Sequence, residues 1–221
     1  MKWLSDTDSF IEEVSEEVRR DRLFALMRKY GWIGVLAILL IVGGAAYNEW
    51  NKASKKAAAQ LLGDNLLAAM GQDAPDARIK ALAALKVQTA DQQALVDILG
   101  AAQAQGAKDN EAAAQILQKL LSNDQAPKAY RDLASLKLVL LKGADMPAAE
   151  RRALLQGLAV AGNAFRLLAE EQLAMIDVEE GKPDEAISRL QQIVGDVDAS
   201  AGLRSRVSQL IMVLGGKIEA S

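Results

Sequence analysis

Residues 167–194 read "LLAEEQLAMIDVEEGKPDEAISRLQQIV", and this stretch decides the fold. Two helical halves meet at Gly181-Lys182-Pro183. Glycine is the common residue just past a helix end. Proline suits the first position of the next helix, where its missing N–H would have gone unpaired anyway. Asp184 and Glu185 then sit in the first turn, where the helix dipole favours acid. Ala174 in the first half and Ala186 in the second are small enough for the two helices to pack closely. Leu190 and Ile193 are large enough to fill the groove between helix pairs. The stretch predicts a helical hairpin.

The same punctuation extends in both directions. All four prolines, Pro75, Pro127, Pro147 and Pro183, stand just before helical patterns. Each has an aspartate at a capping or dipole-favoured position nearby: Asp73, Asp124, Asp145 and Asp184. Gly106, Gly143, Gly181, Gly215 and Gly216 mark helix ends. These signals predict helices over 75–87, 90–105, 109–122, 127–142, 147–160, 163–180, 183–195 and 200–214. A further helix, continuous with an apolar segment upstream, runs to about Met70. The first helices of successive pairs begin near 90, 127, 163 and 200. That step of about 36 or 37 residues is a repeat period and the signature of a helical solenoid. Tyr130-Arg131-Asp132-Leu133-Ala134 recurs as Phe165-Arg166-Leu167-Leu168-Ala169, with a fainter echo in Leu203-Arg204-Ser205-Arg206-Val207. Each opens the first helix of a pair, and Tyr130 and Phe165 read as core positions rather than binding residues. Composition agrees. Aromatics make up 4% of the chain, and after Trp50 only Tyr130 and Phe165 occur. Ala, Leu, Gln, Glu and Lys dominate, all helix formers, while strand-favouring residues are sparse. The competing architecture is a plain antiparallel bundle.

Upstream lies "RKYGWIGVLAILLIVGGAAYNEWNK", residues 28–52. No charge occurs between Lys29 and Glu49. A helix over residues 30–47 is roughly 27 Å long, close to the bilayer core. Tyr30 and Trp32 at one end, and Tyr47 and Trp50 at the other, fall where the two headgroup belts lie and read as membrane-interface anchors. A buried core helix is disfavoured by hydrophobicity on every face. "GGAA" offers small residues suited to signal cleavage. However, about 29 residues, seven of them acidic, precede the apolar run, unlike a short basic leader. An uncleaved signal anchor is favoured. Gly43, Gly44, Ala45 and Ala46 form one small-residue patch, but Gly-x-x-x-Gly is absent.

Orientation is read from the flanking cations. Arg19, Arg20, Arg22, Arg28 and Lys29 precede the span; Lys52, Lys55 and Lys56 follow it. Five against three places the N-terminus inside, with Arg28 and Lys29 as topology-determining residues. The expected organisation is a cytoplasmic amphipathic helix over 1–29, a transmembrane anchor over 30–48 and a periplasmic helical-repeat domain over 49–221. The N-terminal segment "SFIEEVSEEVRRDRLF" opens with a capping box, Ser9-x-x-Glu12. Phe10, Ile11, Val14 and Val18 form an apolar stripe opposite Glu12, Glu13, Glu16 and Glu17. It reads either as a solvated lead-in or as a docking helix for a cytoplasmic partner or for the membrane surface, a purely lipid-surface role being disfavoured by its acidic first half.

Composition excludes several function classes. The chain has no histidine and no cysteine, which rules out disulfides and removes the commonest metal ligands and general base. Ser-His-Asp and Cys-His arrangements are impossible, and no phosphate-cradling glycine loop is present. A net charge of -3 with few aromatics makes a poor nucleic-acid binder. Glu170-Glu171, Glu179-Glu180 and Asp184-Glu185 are adjacent on helices, point to different faces and read as solvated charge rather than an acid/base pair. Asp196 and Asp198, near Ser200, read as loop and cap residues, and Lys55-Lys56 as a membrane-surface contact. No catalytic, cofactor-binding or metal site is expected, and the chain reads as non-enzymatic.

The hairpin at 167–194 resembles a tetratricopeptide repeat. The other pairs share its period but lack the motif's aromatic positions. The fold class expected is therefore all-α: a single N-terminal transmembrane helix followed by a degenerate tetratricopeptide-like helical-hairpin solenoid. Taken with "DSFIEEVSEEVRRDRLFALMRKYGW", "YRDLASL" and "GKPDEAISRLQQIV", nearly the whole chain resembles the YfgM-like membrane-anchored tetratricopeptide family of Gram-negative bacteria. The resemblance implies an ancillary subunit of the Sec translocon in the inner membrane. Its implied partners are translocon subunits, a membrane-anchored periplasmic chaperone and exported clients, with no nucleic acid and no cofactor. The alternative is a structural accessory subunit of another inner-membrane or envelope-assembly complex.

Overall fold

The computed structural model describes the backbone of residues 5–217 and the side chains of residues 27–217. Every regular element among them is helical. The chain divides into two units, Met1–Leu62 and Gly63–Ser221.

Helix α1 covers Ser5–Met70. Its backbone is already helical at Ser5, so Ser9 lies inside the helix and not at its cap. A cap is needed only where the first N–H groups go unpaired, and Ser9 is past that point. The side chains of the expected acidic and apolar stripes lie outside the described residues. From Met27 onward α1 is long and apolar enough to cross a membrane, and none of its apolar window is buried. That exposure removes the buried-core alternative, because Ile38, Leu39, Leu40, Ile41 and Val42 have no protein packed over them.

The second unit contains α2 Pro75–Ala83, α3 Ala90–Gly106, α4 Asn110–Leu121 and α5 Lys128–Lys142. A 3-10 turn, Gly143–Asp145, is followed by α6 Ala148–Gln156, α7 Arg166–Glu179, α8 Pro183–Gly195 and α9 Ala201–Val213. Each helix from α2 to α9 packs on the next in chain order. First helices begin at residues 90, 128, 166 and 201, steps of 38, 38 and 35 where 36 or 37 was expected. Alanines fill the closest approaches: Ala94, Ala104, Ala134, Ala169, Ala174 and Ala186 are fully buried. Leu190 and Ile193 are buried in the same cluster as Ala174 and Ala186, as the hairpin reading requires. Tyr130 and Phe165 pack against the central core cluster.

Helix ends follow local chemistry. Thr89 Oγ1 accepts from Gln92 N at 3.3 Å, Asp109 Oδ1 from Ala112 N at 2.9 Å, and Ser200 Oγ from Leu203 N at 3.2 Å. Pro75 and Pro183 are the first residues of their helices, whereas Pro127 and Pro147 sit one position earlier, in extended backbone. Gly143, Gly181 and Gly215 adopt positive φ after α5, α7 and α9. Gly106 does not: it is the last residue of α3, and Lys108 takes the left-handed conformation at φ +64° instead.

Three helices are shorter than their patterns suggest. Helix α2 stops at Ala83, not 87, and the residues that follow lead into the Thr89 cap of α3. Helix α6 stops at Gln156, not 160, and α7 starts at Arg166, not 163. Between them Gly162 has φ +81°, and Asn163 Oδ1 accepts from Phe165 N at 2.8 Å. An Asn side chain bonding two residues ahead closes a turn and competes with the helix.

Candidate functional site

Helices α5, α7 and α9, the first helices of successive pairs, frame an open groove of about 550 Å³. Its floor is apolar: Leu136, Val139 and Leu140 from α5, Leu168, Met175 and Ile176 from α7, and Leu210 from α9. Leu140 is 56% exposed and Leu168 is 37% exposed. Exposed leucines in a concave surface make a place for another apolar group to bury. The groove continues past Leu168 and Arg206 into a second depression of about 810 Å³ beside the 161–164 loop and the start of α9.

Two ion pairs bound the floor. Arg151, buried on α6, donates to both carboxylate oxygens of Glu179, with Nη1–Oε1 at 3.1 Å, and its Nε donates to the Met146 carbonyl at 3.0 Å. Arg206 on α9 donates through Nε and Nη2 to Glu171 at 2.6 and 2.7 Å. Both are bidentate, the geometry that suits a guanidinium to a carboxylate. The hydrogen bond from Arg151 holds the Glu179 carboxyl below its usual range. The hydrogen bond to Glu171 raises the Arg206 guanidinium.

Of the acidic pairs read as solvated charge, Glu170-Glu171 is drawn into contacts between helices, whereas Glu179 and Glu180 are ion-paired but stay exposed. Glu171 and Asp177 are buried. Asp177 accepts from Arg152 of α6 at 2.9 Å and from Arg189 of α8 at 3.1 Å. Glu170 meets Arg189 at 2.5 Å, and Glu180 meets Arg152 at 3.0 Å and Lys182 at 2.7 Å. Adjacent helical residues do point to different faces, but each face here meets another helix: Glu170 faces α8 and Glu171 faces α9. Glu179, Glu180, Asp184 and Glu185 remain exposed. The available signal was the choice of arginine over lysine at residues 151, 152, 189 and 206, because arginine is the residue suited to partly buried, bidentate pairing.

Asp196 and Asp198 serve the loop before α9. Asp196 Oδ1 accepts from Asp198 N at 2.9 Å, and Asp196 Oδ2 meets Arg166 at 2.8 Å. That hydrogen bond lowers the Asp196 carboxyl from its ordinary value. The expected interface anchors Tyr30, Trp32, Tyr47 and Trp50 are all exposed on α1. The Tyr47 and Trp50 rings lie 6.3 Å apart, and Lys29 Nζ sits 5.5 Å from the centre of the Tyr30 ring. Arg28 is also exposed.

No protein-family model, curated protein or solved structure matches the chain.

Proposed function

We propose that this protein is a non-enzymatic, single-pass inner-membrane scaffold whose groove between α5, α7 and α9 holds segments of other proteins. The observation that carries the reading is the apolar floor with Leu140 and Leu168 exposed in it. Stacked helix pairs present a concave surface suited to an extended or helical partner segment. The anchor supports the reading by holding that surface beside the membrane, where effective concentration is high. The cation balance around the span supports a cytoplasmic N-terminus and a periplasmic array. The resemblance to the YfgM-like family supports an ancillary role at the Sec translocon, beside a membrane-anchored chaperone and exported chains.

The test is a photo-crosslinking residue placed at Leu168 in living cells, with Ser188 on the exposed side of α8 as the control site. Adducts to translocon subunits, the chaperone or exported chains at Leu168, and none at Ser188, are expected. Equal adducts at both sites rule out the groove. Adducts confined to one respiratory or envelope complex rule out the translocon assignment.

A further inference from the structure

We propose that Lys52, Lys55 and Lys56 form a binding site for anionic phospholipid headgroups at the membrane surface where the apolar span ends. The three lie on α1 at positions i, i+3 and i+4, so their side chains are neighbours on one face of the helix. All three are exposed. Among the described residues none of them forms an ion pair, which is also true of Lys29, Lys80, Lys86, Lys108, Lys137 and Lys217; what sets these three apart is their spacing on one helical face beside the end of the apolar span. Glu49, one turn before Lys52, is not bonded to it, and the next acid along the chain is Asp64. Like charges at this spacing oppose the helix that carries them. The repulsion between these solvated side chains is slight, and an anion from outside the chain relieves it.

The bilayer supplies one at the right level. Tyr47 and Trp50 mark the aromatic belt at headgroup depth. At 1.5 Å per residue, Lys52 lies about 3 Å and Lys56 about 9 Å further along the axis than Trp50. Lysine stems are long enough to bend back by that amount and place each ammonium among the phosphates. The net charge of the array does not favour an anionic surface: residues 63–217 hold 17 Lys and Arg against 20 Asp and Glu, a net charge of -3. The lysine face is the cationic cluster beside the end of the span. A juxtamembrane lysine strengthens association with an anionic surface roughly fivefold. This site holds whichever complex the array serves.

The experiment reconstitutes the full chain in nanodiscs of equal parts phosphatidylglycerol and phosphatidylcholine. Native mass spectrometry then reads the ratio of the two lipids retained on the protein. Three variants are compared with the parent: K52Q/K55Q/K56Q, K52R/K55R/K56R and, at the opposite flank, R28Q/K29Q. The glutamine triple variant is expected to lose at least half of the phosphatidylglycerol enrichment, with the arginine triple variant keeping it. A glutamine triple variant that keeps more than half of the enrichment overturns the site, and so does an arginine variant that loses as much as the glutamine one. A change confined to R28Q/K29Q moves lipid recognition to the other flank and also overturns it. A parent chain that elutes outside the discs overturns the span and this site with it.

Discussion

The Glu171–Arg206 pair should respond very differently to loss of one partner or the other. Glu171 has a side chain only 7% exposed, whereas Arg206 is 54% exposed. In Arg206→Met the aliphatic stem is roughly retained, but Glu171 is left a buried carboxylate without its cation. Breaking a buried pair in this way costs about 3 kcal/mol. In Glu171→Gln the orphaned guanidinium is half in water already and rehydrates, and the amide still accepts one hydrogen bond. That change costs about 1 kcal/mol. At about 2–4 °C per kcal/mol for a domain of this size, R206M should melt about 6–12 °C lower and E171Q about 2–4 °C lower. Far-UV circular dichroism of the full chain in detergent gives both shifts. Hydrogen exchange should place the R206M loss at α7 and α9, the helices the pair joins. Equal shifts for the two variants would refute the argument that burial of the acid, and not the pairing itself, sets the cost.

Two further outcomes follow from single positions. Glu179 is held below its ordinary range by Arg151, so its contribution is present above the usual carboxylate range and is lost as pH falls toward the depressed value; the melting gap between wild type and E179Q should close as pH drops from 7 to about 3, and a gap that widens on acidification contradicts the pairing. Gly181 has φ +74° with nothing within 4 Å of a Cβ built there, so Gly181→Ala should cost about 1 kcal/mol through backbone conformation alone, while Gly195→Ala, in α8 with ordinary φ and equal space, should be neutral or stabilising when the two are compared by thermal melts.

The hairpin at 167–194 was legible because its signals are local. Ala174, Gly181, Pro183, Ala186, Leu190 and Ile193 act through neighbours a few residues away, and the structure places each where those neighbours require. The apolar run after Lys29 was legible for the same reason. What could not be read acts over distance. Glu171 resembles any surface glutamate until Arg206, 35 residues later, is brought against it. Leu140 and Leu168 follow the same periodicity as buried leucines, and only the stacking of α5, α7 and α9 leaves them open. The ends of α6 and α7 fall between these extremes: the Asn163 turn is local, but a pattern of apolar spacing passes over it.

The arginine pairs also account for how an aromatic-poor array keeps a defined groove. Burial of alanine and leucine is favourable but non-directional, and alanine faces present little relief to stop one helix sliding over another. Guanidinium–carboxylate hydrogen bonds are directional, and those of Arg151 and Arg206 are bidentate. Arg151 and Arg152 fix α6 on α7, Arg189 fixes α8 on α7, and Arg206 fixes α9 on α7. All of them converge on the acids of one helix, so α7 sets the placement of its three neighbours. Helix α7 also supplies Leu168, Met175 and Ile176 to the groove floor. The charges that hold the array in register are consequently engaged with one another at the rim, and the floor between them is left apolar. A partner recognised there is selected by the shape and hydrophobicity of its side chains, with the ion pairs setting the spacing into which they must fit.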